Sequence, residues 1–106
     1  MLTDNELKAL QSLKGLISKK YNLLEFMVYG SKVSDTDTVE SDIDLMIELE
    51  EEISNARWDI YKIVADVNID YGCVISPVLF SRKDIEDGPL GESPIYKRIA
   101  EEGVTI

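Results

Sequence analysis

The stretch from Tyr29-Gly30-Ser31 to Asp42-Ile43-Asp44-Leu45 constrains the fold of this chain more than any other. Ahead of it, Leu24-Glu25-Phe26-Met27-Val28-Tyr29 is rich in apolar and aromatic residues and reads as a buried strand. Gly30-Ser31 ends that strand, and a polar loop of ten residues, Lys32 to Ser41, follows. Asp42 to Leu49 then alternates as a second strand. Side chains two apart on a strand share a face, so Asp42 and Asp44 point one way. Ile43, Leu45, Ile47 and Leu49 point the other way, into a core. Two carboxylates about 7 Å apart on one face can grip a hard divalent cation. They can also bridge two cations roughly 3.5–4 Å apart, an arrangement suited to phosphoryl and nucleotidyl transfer. The Gly30-Ser31 turn lets backbone N–H groups and a hydroxyl approach phosphate oxygens with no Cβ in the way. The competing reading of the two aspartates is an ordinary acidic strand start, exposed and solvated.

Composition limits the alternatives. A chain of 106 residues makes one domain, residues 1–106, with room for one core. Twenty-one acidic against eleven basic residues give a net charge of −10, the wrong sign for a surface that tracks phosphates without regard to sequence. Non-specific nucleic-acid binding is therefore not expected, and the acidity also favours solubility. The single cysteine, Cys73, has no internal partner for a disulfide and reads as a core thiol in a reducing compartment. With no signal-peptide pattern and no apolar run near 18 residues, a cytoplasmic location without membrane contact is expected. There is no histidine, which removes Ser-His and Cys-His catalysis and His-ligated zinc. Acid–base or metal chemistry here must use carboxylates.

Along the chain, Thr3-Asp4-Asn5-Glu6 is a capping-box pattern opening a helix to about Lys20, with Leu7, Leu10, Leu13, Ile17 and Tyr21 as its core stripe. A second helix is expected from Ile53 to about Asn68, capped by Ser54 or Asn55, with Ala56, Ile60, Ile63, Val64 and Val67 inward. Trp58, Tyr61 and Ala65 fall on its opposite side, either covered by another element or forming a protein interface. Asp70-Tyr71-Gly72 turns the chain into a third strand, Cys73 to Phe80, placed at an edge by Pro77. A short helical turn follows from Ser81 to near Gly88-Pro89. Ser93, Pro94 and Gly103 frame a last helix. Three strands separated by helices indicate an α/β (α+β) fold, a small sheet with helices packed on it.

Gly-Ser, about ten residues, then Asp-hydrophobic-Asp at a strand start resembles the signature of the DNA polymerase beta-like nucleotidyltransferase superfamily. The short length and the ending Ser93-Pro94-Ile95-Tyr96 to Glu102-Gly103-Val104 resemble its smallest members, the minimal nucleotidyltransferases. The resemblance implies a mixed sheet with the turn and both aspartates at one end. It implies that Asp42 and Asp44 hold Mg²⁺ on the phosphates of a nucleoside triphosphate, with ATP the first candidate, and that Gly30 and Ser31 cradle the β- and γ-phosphates. Lys32 stands where relatives often carry arginine and is expected to neutralise a phosphate, although a solvated lysine explains it as well. Many minimal nucleotidyltransferases are encoded beside a HEPN-domain partner and act as antitoxins.

Active relatives carry a third carboxylate on the neighbouring strand, whereas Cys73 to Phe80 contains no acid. Glu48 shares the aspartates' face but lies about 13 Å beyond Asp44. Asp70 has the hydrophobic-acid-hydrophobic pattern but precedes the strand, where a turn role competes. Ser34 stands where many relatives have a second basic residue. Two functions remain open: Mg²⁺-dependent transfer of AMP, or another nucleoside monophosphate, to a hydroxyl of a partner protein, and a weakly active or inactive binding module that covers such a partner. Self-association is left open.

Overall fold

In the computed structural model, which describes residues 2–33 and 42–106, Thr3 caps helix α1 (Asp4–Ser18) with the reciprocal bonds its sequence implies. Glu6 N–H donates to Thr3 Oγ1 at 3.1 Å, and Thr3 N–H donates to Glu6 Oε1 at 2.9 Å. Leu10, Leu13 and Ile17 are fully buried, joined by Ala9 rather than by Leu7, which stays exposed. Tyr21 lies past the end of α1. It packs on the core and donates its hydroxyl to Asp59 at 2.7 Å.

Strand β1 (Leu23–Tyr29) runs antiparallel to β2 (Ile43–Leu49), with Tyr29 opposite Asp44. Helix α2 (Ile53–Tyr71) then crosses over to β3 (Ile75–Ser81), which pairs parallel with β2 and sets Ser76 beside Asp44. The sheet order is β3-β2-β1-β4, so β3 is an edge and Pro77 removes no donor that an inner ladder needs. The fourth strand, β4 (Val104–Thr105), pairs with Met27 and Val28 of β1 and is absent from the three-strand expectation. The mixed α+β architecture is as expected.

Helix α2 departs from its expected bounds at both ends. Neither Ser54 nor Asn55 is its cap: Glu52 precedes the first helical residue and makes no side-chain cap bond. The helix runs through Asp70, so that residue is not in a turn; Gly72, at φ +64°, ends it in the left-handed conformation. Asn68 then fastens the end of α2 to the start of β3, accepting from Ile75 N–H at 2.9 Å and donating to Ile75 O at 3.3 Å.

Both faces of the sheet are covered. Ile43, Leu45, Ile47 and Leu49 meet Leu10, Leu13, Ile17, Ile60 and Val64 of α1 and α2 in the main core. Full burial of each such side chain is worth about 1.5–3 kcal/mol. On the other face, Met46 and Phe80 pack with Ile99, and Ile85 and Tyr96 lie against them. These last come from α3 (Arg82–Asp87), which Ser81 caps, and α4 (Pro94–Glu102), which Ser93 caps as the sequence indicates. The second layer buries Glu48, which is 1% exposed and accepts from Arg82 Nε at 2.6 Å and Tyr96 Oη at 3.4 Å. Among the described residues no helix is long and apolar enough to cross a membrane.

Candidate active site

The site sits at one end of the sheet, where β1 ends, β2 begins and β3 runs alongside. Tyr29 is the last residue of β1, and Gly30–Lys32 form a 3₁₀ turn in which Val33 N–H donates to Gly30 O at 3.2 Å. Gly30 has φ +77°, a backbone conformation that disfavours any side chain. Space reinforces that restriction. A Cβ at Gly30 would lie 2.5 Å from Asp44 Oδ2, so the Asp44 carboxylate occupies the space a side chain at Gly30 would need. Gly30 therefore turns the chain and leaves room for the carboxylate beside the turn.

Asp44 is the second residue of β2 and is half-buried, while Asp42 just precedes the strand and is exposed. Burial, and then the neighbouring charge of Asp42, push the Asp44 carboxyl above its ordinary value. Tyr29, across the ladder from Asp44, is likewise pushed up, by burial and then by that carboxylate. Ser76 Oγ makes a long contact of 3.5 Å with Asp42 Oδ2, giving the pair a hydroxyl neighbour on β3. A carboxylate pair with a serine hydroxyl beside it fits a hard divalent cation whose remaining ligands are further oxygens.

The structure brings Gly30, Ser31, Asp42 and Asp44 together, turns the Lys32 ammonium of the same turn toward α1, and places Asp70 elsewhere. Lys32 is buried, at 3% exposure, with its ammonium 3.1 Å from Glu6 Oε2 of α1, so it is not a solvated surface lysine. Asp70 is exposed in the last turn of α2. Among the described residues no three Asp, Glu, His or Cys side chains gather where a metal could be held. Ser34 and the acidic run Ser34 to Thr38 lie outside the described residues. Sequence reasoning missed Ser76, because its proximity to Asp42 comes from the parallel β2–β3 register rather than from any local motif.

Trp58 and Tyr61 are on the outer side of α2 as expected. Trp58 is 79% exposed and meets Tyr61 edge-on, with ring centroids 6.0 Å apart. Among the described residues no element covers Trp58. Ile69, three turns along the same side, is also 79% exposed.

A mixed sheet layered by helices, with two aspartates at the start of a strand against a glycine-serine turn, defines a nucleotidyltransferase-type domain. The family model for the nucleotidyltransferase domain matches residues 10–103, and the chain belongs to that family. A solved structure described as that of a minimal nucleotidyltransferase shares the fold at a TM-score of 0.67. It is 19% identical, with 98% of this chain and 97% of that one covered. No curated protein matches at a comparable level.

Proposed function

We propose that this domain transfers a nucleoside monophosphate, AMP from ATP, to a hydroxyl of a partner protein in the cytoplasm. The observation that carries the reading is the close packing of the Asp44 carboxylate against Gly30, which sets the Gly30-Ser31 turn beside the carboxylate pair. Asp42 and Asp44 would hold Mg²⁺, which when bound supplies neutralisation of charge developing on the phosphates. Gly30 and Ser31 present backbone N–H groups and a hydroxyl to the β- and γ-phosphates. The acceptor oxygen bonds to the α-phosphorus as the bond to the departing pyrophosphate breaks. The acceptor's proton is released to solvent as the new bond forms.

A second reading rests on the exposed side of α2. Trp58, Tyr61, Ala65 and Ile69 recur every three or four residues and form an apolar stripe on a chain of net charge −10. That surface suits a basic partner, of which a HEPN-domain protein acting as toxin is the candidate, and the chain would then be its antitoxin by binding alone. Transfer of label from α-³²P-ATP to the partner separates the two readings. Asp44→Asn abolishes labelling and spares association if the enzyme reading holds. Label transfer at the wild-type rate by that variant would mean the site is misassigned. Wild-type protein that binds its partner and never labels it supports the binding-module reading.

A further inference from the structure

Lys32 is where the geometry departs furthest from a simple phosphate contact. It follows Gly30-Ser31 directly, yet its side chain is only 2% exposed and its ammonium meets Glu6 Oε2 at 3.1 Å. A lysine buried to that degree is stable as a cation only when paired, so the ion pair restrains the turn that carries it. Glu6 is itself restrained. Its other oxygen accepts from Thr3 N–H in the capping box, and its side chain is 13% exposed. Burial alone would raise the Glu6 carboxyl. The Thr3 N–H bond and then Lys32 outweigh that and hold it below its ordinary value, so the charged form is the one the fold selects.

The first turn of α1 is a firm anchor for this pair. Asn5 Nδ2 donates to Tyr71 O at 2.7 Å, tying the start of α1 to the end of α2, while Leu10, Leu13 and Ile17 hold the helix in the core. The Gly30–Lys32 turn is thus held from two directions. At its start Tyr29 is laddered to Asp44, and at its end Lys32 is clamped to α1. Loss of the Glu6 clamp loosens the end of the turn beside Gly30, the residue whose side-chain space the Asp44 carboxylate occupies.

We infer that Lys32 and Glu6 are positioning residues: their buried ion pair sets the Gly30-Ser31 turn against Asp44 for phosphate binding, and Glu6 on α1 is as necessary to that binding as Lys32 itself. The inference rests on the proposed nucleotide site, although its structural half can be measured without any nucleotide. Glu6 was legible in the sequence only as a helix cap, and Lys32 only as a phosphate contact or a solvated lysine.

The test compares wild type, Glu6→Gln, Lys32→Met and the double variant Glu6→Gln/Lys32→Met. Glutamine keeps the acceptor for Thr3 N–H, and the double variant removes both charges of the pair together, so neither is left buried without the other. Two quantities are read: Mg-ATP affinity by calorimetry, and hydrogen exchange of the Val33 amide, whose bond to Gly30 O reports the turn, against the Leu13 amide as a measure of global opening. Each single variant is expected to weaken Mg-ATP binding roughly ten- to a hundredfold, the effect of losing one charged hydrogen bond. The double variant is expected to be no worse than either single. Val33 exchange should quicken by a similar factor relative to Leu13. If Glu6→Gln binds Mg-ATP as wild type does while Lys32→Met fails, Lys32 is a phosphate ligand and the inference is overturned. If wild type does not bind Mg-ATP, the proposed function fails; Val33 exchange then decides the inference, and unchanged exchange in both single variants overturns it.

Discussion

Gly30→Ala tests the contact on which the site is built, and Gly72→Ala supplies its control. Both glycines have positive φ, +77° and +64°, so alanine at either position meets the same kind of backbone cost. That cost is about 1–2 kcal/mol, less roughly 0.4–1 kcal/mol regained because the unfolded chain loses freedom. A net loss near 1 kcal/mol lowers Tm by about 4–8 °C in a domain of this size. The surroundings differ. Nothing lies within 4 Å of a Cβ at Gly72, whereas a Cβ at Gly30 falls 2.5 Å from Asp44 Oδ2. That oxygen must retreat by about 1 Å to reach ordinary contact, and a displacement of that size can cost about a hundredfold in rate. Thermal melting followed by Mg-ATP calorimetry and label transfer should therefore show similar Tm losses in the two variants, with nucleotide affinity and transfer lost only in Gly30→Ala. Equal functional loss in both, or wild-type affinity in Gly30→Ala, would refute the steric reasoning.

Three further outcomes are expected. Because burial and Asp42 raise the Asp44 carboxyl in the fold, the folded chain holds that proton more tightly than the unfolded chain. Its contribution to stability is thus present in acid and lost as pH rises through the folded value, so Asp44→Asn should raise Tm at neutral pH and lose that advantage at low pH in melts across the range. Arg82→Ala strips the buried Glu48 carboxylate of its cation and should cost about 1–3 kcal/mol in urea unfolding. Mg-ATP affinity should be unaffected, since Glu48 lies far along β2 from Asp44. Gly15→Ala, in the interior of α1 with nothing within 4 Å of the new methyl, should stabilise the protein by roughly 0.5–1 kcal/mol in the same assay.

What could be seen in the sequence was local. The capping box at Thr3 and Glu6, the Ser81 and Ser93 caps, Pro94 and the Gly30-Ser31 turn each satisfy their backbone groups within a few residues, so their residue types declare them. The alternation of Ile43, Leu45, Ile47 and Leu49 likewise fixed the inner face of β2 and, with it, the common direction of the aspartates. What escaped was non-local. Strand β4 is two residues long and exists through its ladder to β1. Glu48 looked like an outward-facing acid because alternation shows one buried face; α3 and α4, from far along the chain, cover the other and bring Arg82 and Tyr96 to it. Lys32 read as a phosphate contact or a solvated lysine because Glu6, with which it pairs, is 26 residues upstream on α1. Ser76 approaches Asp42 only through the β2–β3 register. Helix α2 ran beyond its expected end because nothing before Gly72 compels it to stop.

Calorimetric titration of ATP into wild-type protein and into Asp42→Asn/Asp44→Asn, each with and without Mg²⁺, tests the central claim most directly. The account predicts binding by wild type that depends on Mg²⁺ and is lost in the double variant. Absence of binding by wild type, or Mg²⁺-dependent binding that survives removal of both carboxylates, would contradict it.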